Sequence, residues 1–574
     1  MAAQLAGADL LGRIGMNPRL QSPIVALPDN FGWVQLSEPG KPFIAFKGFL
    51  TNAPALQDAA RYIRNHLATV APSEIDTFLA QLDGHFAFVF ANSEHTLLAV
   101  DRVRSIPLLF AMDGSQLLIT DHAGPLRARQ LVQPANIDSR TSIEFAMAGY
   151  TLGRKTLYKN IETLIAGERA IVAGTGKITR SRYAFYRPWL AEDDGTPDTK
   201  WRQRLRETTL NVLEKLVATA GQRQILVPLS AGLDSRLIVS GLRHLGARDV
   251  VCFSYGRTGN HEAEAARAIA GRLGYDWHFI SMDTARFRKA RKTEAYRRYF
   301  DLVDNLISTP VEQDVYPVMQ LKQLGWAAHD AIVVNGQSGD FISGGHIPQE
   351  LEISLDKTDW QARKDLIVTA NLQKHFGLWP ALQTDATIEA IAAEFDDELR
   401  DTEAPIESAA HTFALYEFLE YQNRQSKYVL GNQRSYEAFG YDWRLPLWDS
   451  VYLSFWQTVP LRLKARQKLY RDMLIEADWG SVWSTLLPAP RWITPPWIRP
   501  IRFAAKIACA PFGQAAWHRF ERRVFNHVMD PLRKYAAVSW WTVAFCAHDH
   551  RSAISWLTAQ YLNRHGLDWA GRRL

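Results

Sequence analysis

An α/β protein in two successive parts, the first built on antiparallel sheet and the second on a parallel sheet, is the fold class that this 574-residue sequence predicts. Three observations carry the expectation. Between residues 43 and 120, short strand-like segments are separated by hairpin turns such as Asp113-Gly114. From residue 225 onward, apolar runs of four or five residues alternate with segments of helical periodicity, the pattern of strand–helix–strand units. Between the first of those runs and its helix stands a turn of mostly small residues, Ser230-Ala231-Gly232-Leu233-Asp234-Ser235.

Taken in order, Phe43–Phe49 reads as a strand, and Asp58–Ala68 and Ser73–Leu82 read as amphipathic helices. Phe86–Phe90 and Thr96–Val100 form one expected hairpin, and Leu108–Met112 and Gln116–Thr120 a second. Together these predict an α+β domain. The polar, turn-forming stretch around Glu192–Asp198 reads as a linker, which sets expected domains at 1–188 and 200–574. Trp201–Ala220 follows as one amphipathic helix. Ile225–Leu229, Val250–Ser254, Trp277–Ile280 and the run after Asp330 are expected parallel strands with ligands at their carboxyl ends. Residues 351–574 read as mostly helical.

Hydrophobic residues make up 47% and charged residues 22%, ordinary for a globular protein. The net charge of +6 comes without any Lys/Arg-rich block, so nucleic acid is not an expected partner. Three cysteines, Cys252, Cys509 and Cys546, are too few for a disulfide framework. No signal peptide pattern and no run of about 18 apolar residues is seen. The expectation is a cytoplasmic protein without a membrane span.

The turn at 230–235 carries the chemistry. A small-residue turn between a buried strand and a helix N-terminus aims backbone N–H groups at one point and suits a phosphate. Asp234 inside it fits phosphate binding only with a divalent cation between them, and Mg²⁺ prefers one or two carboxylates plus phosphates. Ser254 and Tyr255 end the next strand, at a carboxyl end where a ligand would meet backbone. The fourth strand leads into Asn335-Gly336-Gln337-Ser338-Gly339-Asp340.

The turn resembles the Ser-Gly-Gly-x-Asp-Ser pyrophosphate loop of the ATP pyrophosphatases. Upstream, Leu82-Asp-Gly-His-Phe-Ala-Phe88, Asp101-Arg-Val-Arg-Ser-Ile-Pro-Leu-Leu109 and Leu118-Ile-Thr-Asp-His122 resemble segments of the class II glutamine amidotransferase domain. Thr156–Ile161 with Gly167, and Arg434 through Asp449, extend the likeness, in order and spacing, to the asparagine synthetase family over most of the chain. Gly345-His346 and the Asp442 context look closest to asparagine-synthetase-like proteins found with bacterial surface-polysaccharide genes. The resemblance implies an Ntn-type antiparallel sandwich ahead of an ATP pyrophosphatase domain. It implies ATP and Mg²⁺ as cofactors, with Ser230, Ala231, Gly232, Leu233, Asp234, Ser235, Ser254 and Gly336 on the nucleotide. Asp234 and Asp340 would be the metal ligands, and Asp442, Arg444 and Lys468 catalytic residues.

Departures are equally specific. Glutaminases of this class use an N-terminal Cys as nucleophile, and here position 2 is Ala2 with no cysteine before Cys252, so glutaminase chemistry is expected to be lost. Gln337 stands in the slot of a family Glu. The family's late Lys has no match in register; Arg491 or Lys506 would have to substitute. The basic and apolar stretch Trp497–Phe512 is expected to be a core-packing helix with a solvated basic edge rather than a membrane-surface segment.

The expected activity is adenylation of a small-molecule or saccharide carboxylate, with release of pyrophosphate and then transfer to ammonia or an amine. Two alternatives stand beside it: an intramolecular ligase of the β-lactam synthetase or lasso-peptide cyclase type, and a non-catalytic nucleotide-binding scaffold.

Overall fold

A computed structural model describes residues 21–28, 31–53, 55–352, 359–484, 496–530, 532 and 534–571. Ten strands form its N-terminal part: β1 (Ile24–Val25), β2 (Trp33–Leu36), β3 (Phe43–Leu50), β4 (Gly84–Ala91), β5 (His95–Val100), β6 (Leu109–Asp113), β7 (Gln116–Thr120), β8 (Ile161–Thr163), β9 (Glu168–Ala173) and β10 (Ile178–Arg182). They make a four-stranded sheet in the order β1-β7-β6-β8 and a six-stranded sheet in the order β10-β9-β5-β4-β3-β2. Every pairing is antiparallel except that of β1 with β7.

Side-chain alternation along a strand explains the layering. On β4, Phe86, Phe88 and Phe90 pack toward helices α1 (Leu56–Leu67) and α2 (Ile75–Gln81). Ala87 and Val89 between them enter a core shared with Phe110, Leu117 and Ile119 of the other sheet. The outer face of that sheet, through Leu109, Ala111 and Leu118, is covered by α3 (Ala123–Ala128) and α4 (Ser139–Ala148). The result is helix, sheet, sheet, helix. The hairpins expected from sequence are present, and Gly114 turns the second with φ +62°.

After α5 (Asp198–Ala220) come β11 (Ile225–Pro228), α6 (Leu233–His244), β12 (Val250–Gly256), α7 (His261–Leu273), β13 (Asp276–Ser281), β14 (Ile332–Val334) and β15 (Asp442–Arg444). They form a wholly parallel sheet in the order β13-β12-β11-β14-β15. The strand β15 falls in the region expected to be helical. The chain runs outward from β11 to β13, then crosses to the other side for β14. The switch in direction therefore lies between β11 and β14, where α/β sheets open a crevice beyond the strands' carboxyl ends.

The two parts share one apolar core, which runs from Leu98 and Phe110 through Tyr186 and Trp201 to Leu226 and Ile332. Buried polar links cross the same boundary. Asp121 accepts from Trp33 Nε1 at 3.0 Å and from Arg434 at 3.1 Å. Lys47 pairs with Glu437 at 2.7 Å, and Lys427 donates to the carbonyls of Thr151 and Gly153 at 2.8 and 2.7 Å. The expected linker is pinned as well, with Arg462 holding Asp193 at 2.8 Å. Among the described residues no helix is long and apolar enough to cross a membrane.

Candidate active site

A cavity of about 540 Å³ opens at the switch between β11 and β14. Its walls include Ser230, Gly232, Leu233, Asp234 and Ser235 from the loop after β11, and Gly336, Gln337, Ser338 and Asp340 from the loop after β14. Ser254, at the end of β12, lines it too. Of the residues expected on the nucleotide, only Ala231 is not part of the wall.

The first loop is locked from within. Ser235 Oγ accepts from the Ser230 N–H at 3.1 Å, and Ser230 Oγ accepts from the Gly232 N–H at 3.1 Å. Arg236 lies beneath, 5.2 Å from the Trp483 ring centre, and donates to the Ala231 carbonyl at 2.7 Å. It therefore braces the turn from behind and leaves the cavity clear. Gly232 precedes α6 and no side chain caps that helix. Uncapped N–H groups at a helix N-terminus are a ready anion site.

The second loop fits against the first closely enough to require glycine. A Cβ on Gly336 would lie 2.9 Å from the Ser235 nitrogen and 3.0 Å from the Asp234 carbonyl carbon. One on Gly339 would lie 2.6 Å from Asp234 Cγ. This contact brings the two carboxylates together. The Asp340 N–H donates to Asp234 Oδ2 at 3.1 Å, and the Tyr470 hydroxyl donates to Oδ1 at 3.0 Å. Burial, and then the charge of Asp340, push the Asp234 carboxyl up to about 7.

Asp340 is balanced differently. Burial works to raise its carboxyl, but the hydrogen bond and charge of His346 bring it below the ordinary value. His346 sits between two acids, with Nε2 3.1 Å from Asp340 Oδ2 and Nδ1 2.5 Å from Glu420 Oε1. Against burial, Glu420 and Asp340 raise the imidazole to about 9. Beyond it, buried His375 is pushed down to about 4 and meets Glu420 Oε2 at 3.0 Å as a neutral ring. Asp340 is thus positioned by a His–Glu–His chain. An all-oxygen pair of carboxylates, one pushed toward protonation by burial and then by the other's charge, suits a hard divalent cation and could hold Mg²⁺.

Ser254 keeps its hydroxyl occupied, donating to the Leu229 carbonyl at 2.7 Å and accepting from Trp277 Nε1 at 2.9 Å. At Ser254 this leaves backbone groups toward the cavity. Arg424 also reaches the cavity, from a π-helical stretch, Tyr421–Val429, and has Glu420 at 3.6 Å as its ion-pair partner. A side chamber of about 230 Å³ shares Gln313, Gln337, Arg424, Val429 and Leu532 with the main cavity. Its other walls are largely apolar, among them Met282, Phe287, Ile554 and Leu557, with Lys534 beside them. Burial pushes the Lys534 ammonium below the ordinary lysine range.

None of the three expected catalytic residues lines the cavity. Asp442 begins edge strand β15, is exposed, and pairs with Arg223. Arg444 lies 3.8 Å from the Phe49 ring centre, against the N-terminal part, and donates to the Trp443 carbonyl at 2.8 Å. Both are directed by β15 toward a separate cleft with Lys47, Phe49 and Arg223. Lys468 opens the helix Lys468–Ala477 on its outer side and pairs with Asp198 at 2.8 Å and Asp472 at 3.2 Å. Its neighbour Gln467, at φ +60°, takes the wall position instead and donates to Ser343 at 2.7 Å. Of the proposed substitutes for the late Lys, Arg491 and also Ala2 of the N-terminus lie outside the described residues, and Lys506 stands on an exposed helix away from the cavity.

The sequence matches a family model described as asparagine synthase over residues 209–477 and one described as a glutamine amidotransferase domain over residues 66–184. No curated protein sequence matches it. Likenesses to solved structures are weak. The allosteric regulatory enzyme of purine biosynthesis shares 13% identity, with a TM-score of 0.18 over 43% of this chain and 62% of the other. Glutamine phosphoribosylpyrophosphate amidotransferase from B. subtilis shares 13%, with a TM-score of 0.19 over 53% and 63%. The NH3-dependent NAD synthetase from Campylobacter jejuni subsp. jejuni shares 17%, with a TM-score of 0.19 over 39% and 92%. The first two matches span less than two thirds of those proteins' lengths. Matched in the order that its motifs follow, the two family models support placing this chain with the asparagine synthetase family.

Proposed function

We propose that this protein is an ATP-dependent, AMP-forming amide ligase. The observation that carries the reading is the meeting of Asp234 and Asp340 beside the uncapped N-terminus of α6, in the crevice where the parallel sheet reverses direction. ATP is a substrate, with its phosphates along residues 230–235 and its base against the backbone of Ser254 and Tyr255. A carboxylate oxygen of the acid attacks the α-phosphorus and the bond to pyrophosphate breaks. The amine nitrogen then attacks the acyl carbon, the bond to AMP breaks, and the amine gives up a proton. When bound by Asp234 and Asp340, Mg²⁺ supplies positive charge to the phosphates.

The chain's own residues do the positioning. Tyr470 and the Asp340 N–H fix the Asp234 carboxylate, and His346 fixes Asp340. Arg424 stands where the two chambers join and orients the acid's carboxylate, while the side chamber takes its body. Met282, Phe287, Ile554 and Leu557 fit an apolar stretch of the acid's body, with Glu312 and Lys534 in the same wall for a polar group on it. Gln337 is held by Gln433 at 2.9 Å and, as a neutral amide, takes no proton from the amine.

ATP–pyrophosphate exchange with hexanoate, benzoate and aspartate offered separately tests the reading. Acid-dependent exchange is expected, lost in Asp340→Asn. Product formed with ¹⁵N-ammonium then separates the routes, since label in the product supports external amine and an unlabelled, dehydrated product supports ring closure. Absence of exchange with every acid tried would favour the non-catalytic scaffold.

A further inference from the structure

The helix Ile498–Cys509 was expected to pack its apolar face inward, and it does the reverse. Trp497 is 60% exposed, Phe503 67% and Ile507 59%, and Phe512 just beyond the helix 76%. At 3.6 residues per turn, Phe503, Ile507, Pro500, Ala504, Trp497 and Ile501 cover one continuous arc of roughly 160°. All six are exposed. The opposite side is the one the protein uses. Ile498 is buried there, and Arg502 pairs with Glu521 and lies 5.2 Å from the ring centre of buried Trp517, on the helix Gly513–Val524. The helix is therefore clamped with its apolar arc turned outward.

Charge indicates what covers that arc. Lys506 and Arg499 fall along one edge of it, next to Phe503 on the helical projection, and both are exposed. Across residues 496–530 there are six Lys or Arg and two acids. The acids are engaged within the protein, Glu521 with Arg502 and Asp530 with the N–H groups of Leu532 and Tyr535. An aromatic and aliphatic face bordered by cations, on a helix with no acid of its own, is complementary to an anionic lipid surface, into which such a helix sinks its apolar side while Lys and Arg meet the headgroups. We propose that residues 497–512 are a membrane-surface anchor, through which this chain docks peripherally on an anionic bilayer.

Vesicle flotation of the full chain tests this, with vesicles of equal parts phosphatidylglycerol and phosphatidylcholine compared against phosphatidylcholine alone. Binding to the anionic vesicles is expected, weakened by high salt. Ile501→Glu with Phe503→Glu should abolish it, and Lys506→Glu should weaken it by about tenfold. Both substitutions lie on exposed positions, and circular dichroism melts should match the parent. Equal binding to both vesicle types, no binding to either, or unchanged binding by the double variant would overturn the proposal. So would a parent dimer that the double variant converts to monomer without any lipid binding, which would make a second copy the occupant.

Discussion

Replacing Gly336 by alanine isolates one physical requirement of the cavity, the close approach of its two loops. The backbone at Gly336 does not have positive φ, so alanine carries no conformational penalty there and space alone decides. The added Cβ would start 2.9 Å from the Ser235 nitrogen and 3.0 Å from both the carbonyl carbon and the Cβ of Asp234. Ordinary contact lies near 3.5 Å, so the loops must separate by roughly 0.5 Å. Two of those three neighbours are backbone atoms in the turn entering α6, which cannot rotate away. Overpacking of this kind costs about 1–3 kcal/mol, a few degrees or less in melting temperature for a protein of this size. Function should suffer more, because a misplacement approaching 1 Å costs about 100-fold in rate where catalysis depends on positioning. The assay is ATP–pyrophosphate exchange beside a thermal melt, with Gly431→Ala, whose Cβ would meet nothing within 4 Å, as the control. Exchange by Gly336→Ala within about threefold of the parent would refute the argument that loop contact sets the carboxylate geometry.

Asp340→Asn should reduce exchange by more than about 1,000-fold while the melt hardly moves, because the residue acts on ligands at a partly exposed site; near-normal exchange would remove it from the site. Incubation with glutamine should release no glutamate above a heat-killed control, since no cysteine occurs before Cys252 to serve the amidotransferase-like part. Arg434→Met should cost about 3–5 kcal/mol at neutral pH by leaving Asp121 buried without its cation. Burial alone would raise the Asp121 carboxyl, but Arg434 and His122 hold it well below the carboxylate range. A depressed folded pKa contributes stability that is present above the unfolded value, about 3.9, and is lost as pH falls; the gap between parent and variant should therefore narrow in denaturant titrations below about pH 4, and a constant gap would refute the pairing.

Most of the sheet and half of the site could be read from the residues in line. Short apolar runs between turn signals located the strands β3 to β7 and β11 to β13, and the turn 230–235 declared its chemistry by composition. Asp340 was legible because its loop resembles a family segment in which it falls on the Asp. Asp-Trp-Arg at 442–444 carries no periodicity, so β15 was invisible until β14 paired with it. That strand also decides where Asp442 and Arg444 point, which spacing does not. Lys468 lies off the cavity wall next to a backbone feature that composition gives no sign of, the left-handed φ of the non-glycine residues Arg466 and Gln467. Arg424 and His346 reach the cavity from a π-helical stretch and a tight turn that lack sequence signatures. The helix Ile498–Cys509 shows the opposite limit, since amphipathicity was plain while the side that faces the protein was not.

The single apolar core that runs from the N-terminal sheets into the parallel sheet bears on what natural variation can remove. A nick near residue 192 would not release two independent proteins, because Leu98, Phe110, Leu226 and Ile332 belong to one packed interior and Asp121, Lys47 and Lys427 are each satisfied across the boundary. Drift that erased any chemistry of the first part would still leave it indispensable as the wall against which the second part is built. Such a part is conserved by its contacts alone, and its surviving sequence motifs then record packing rather than reaction.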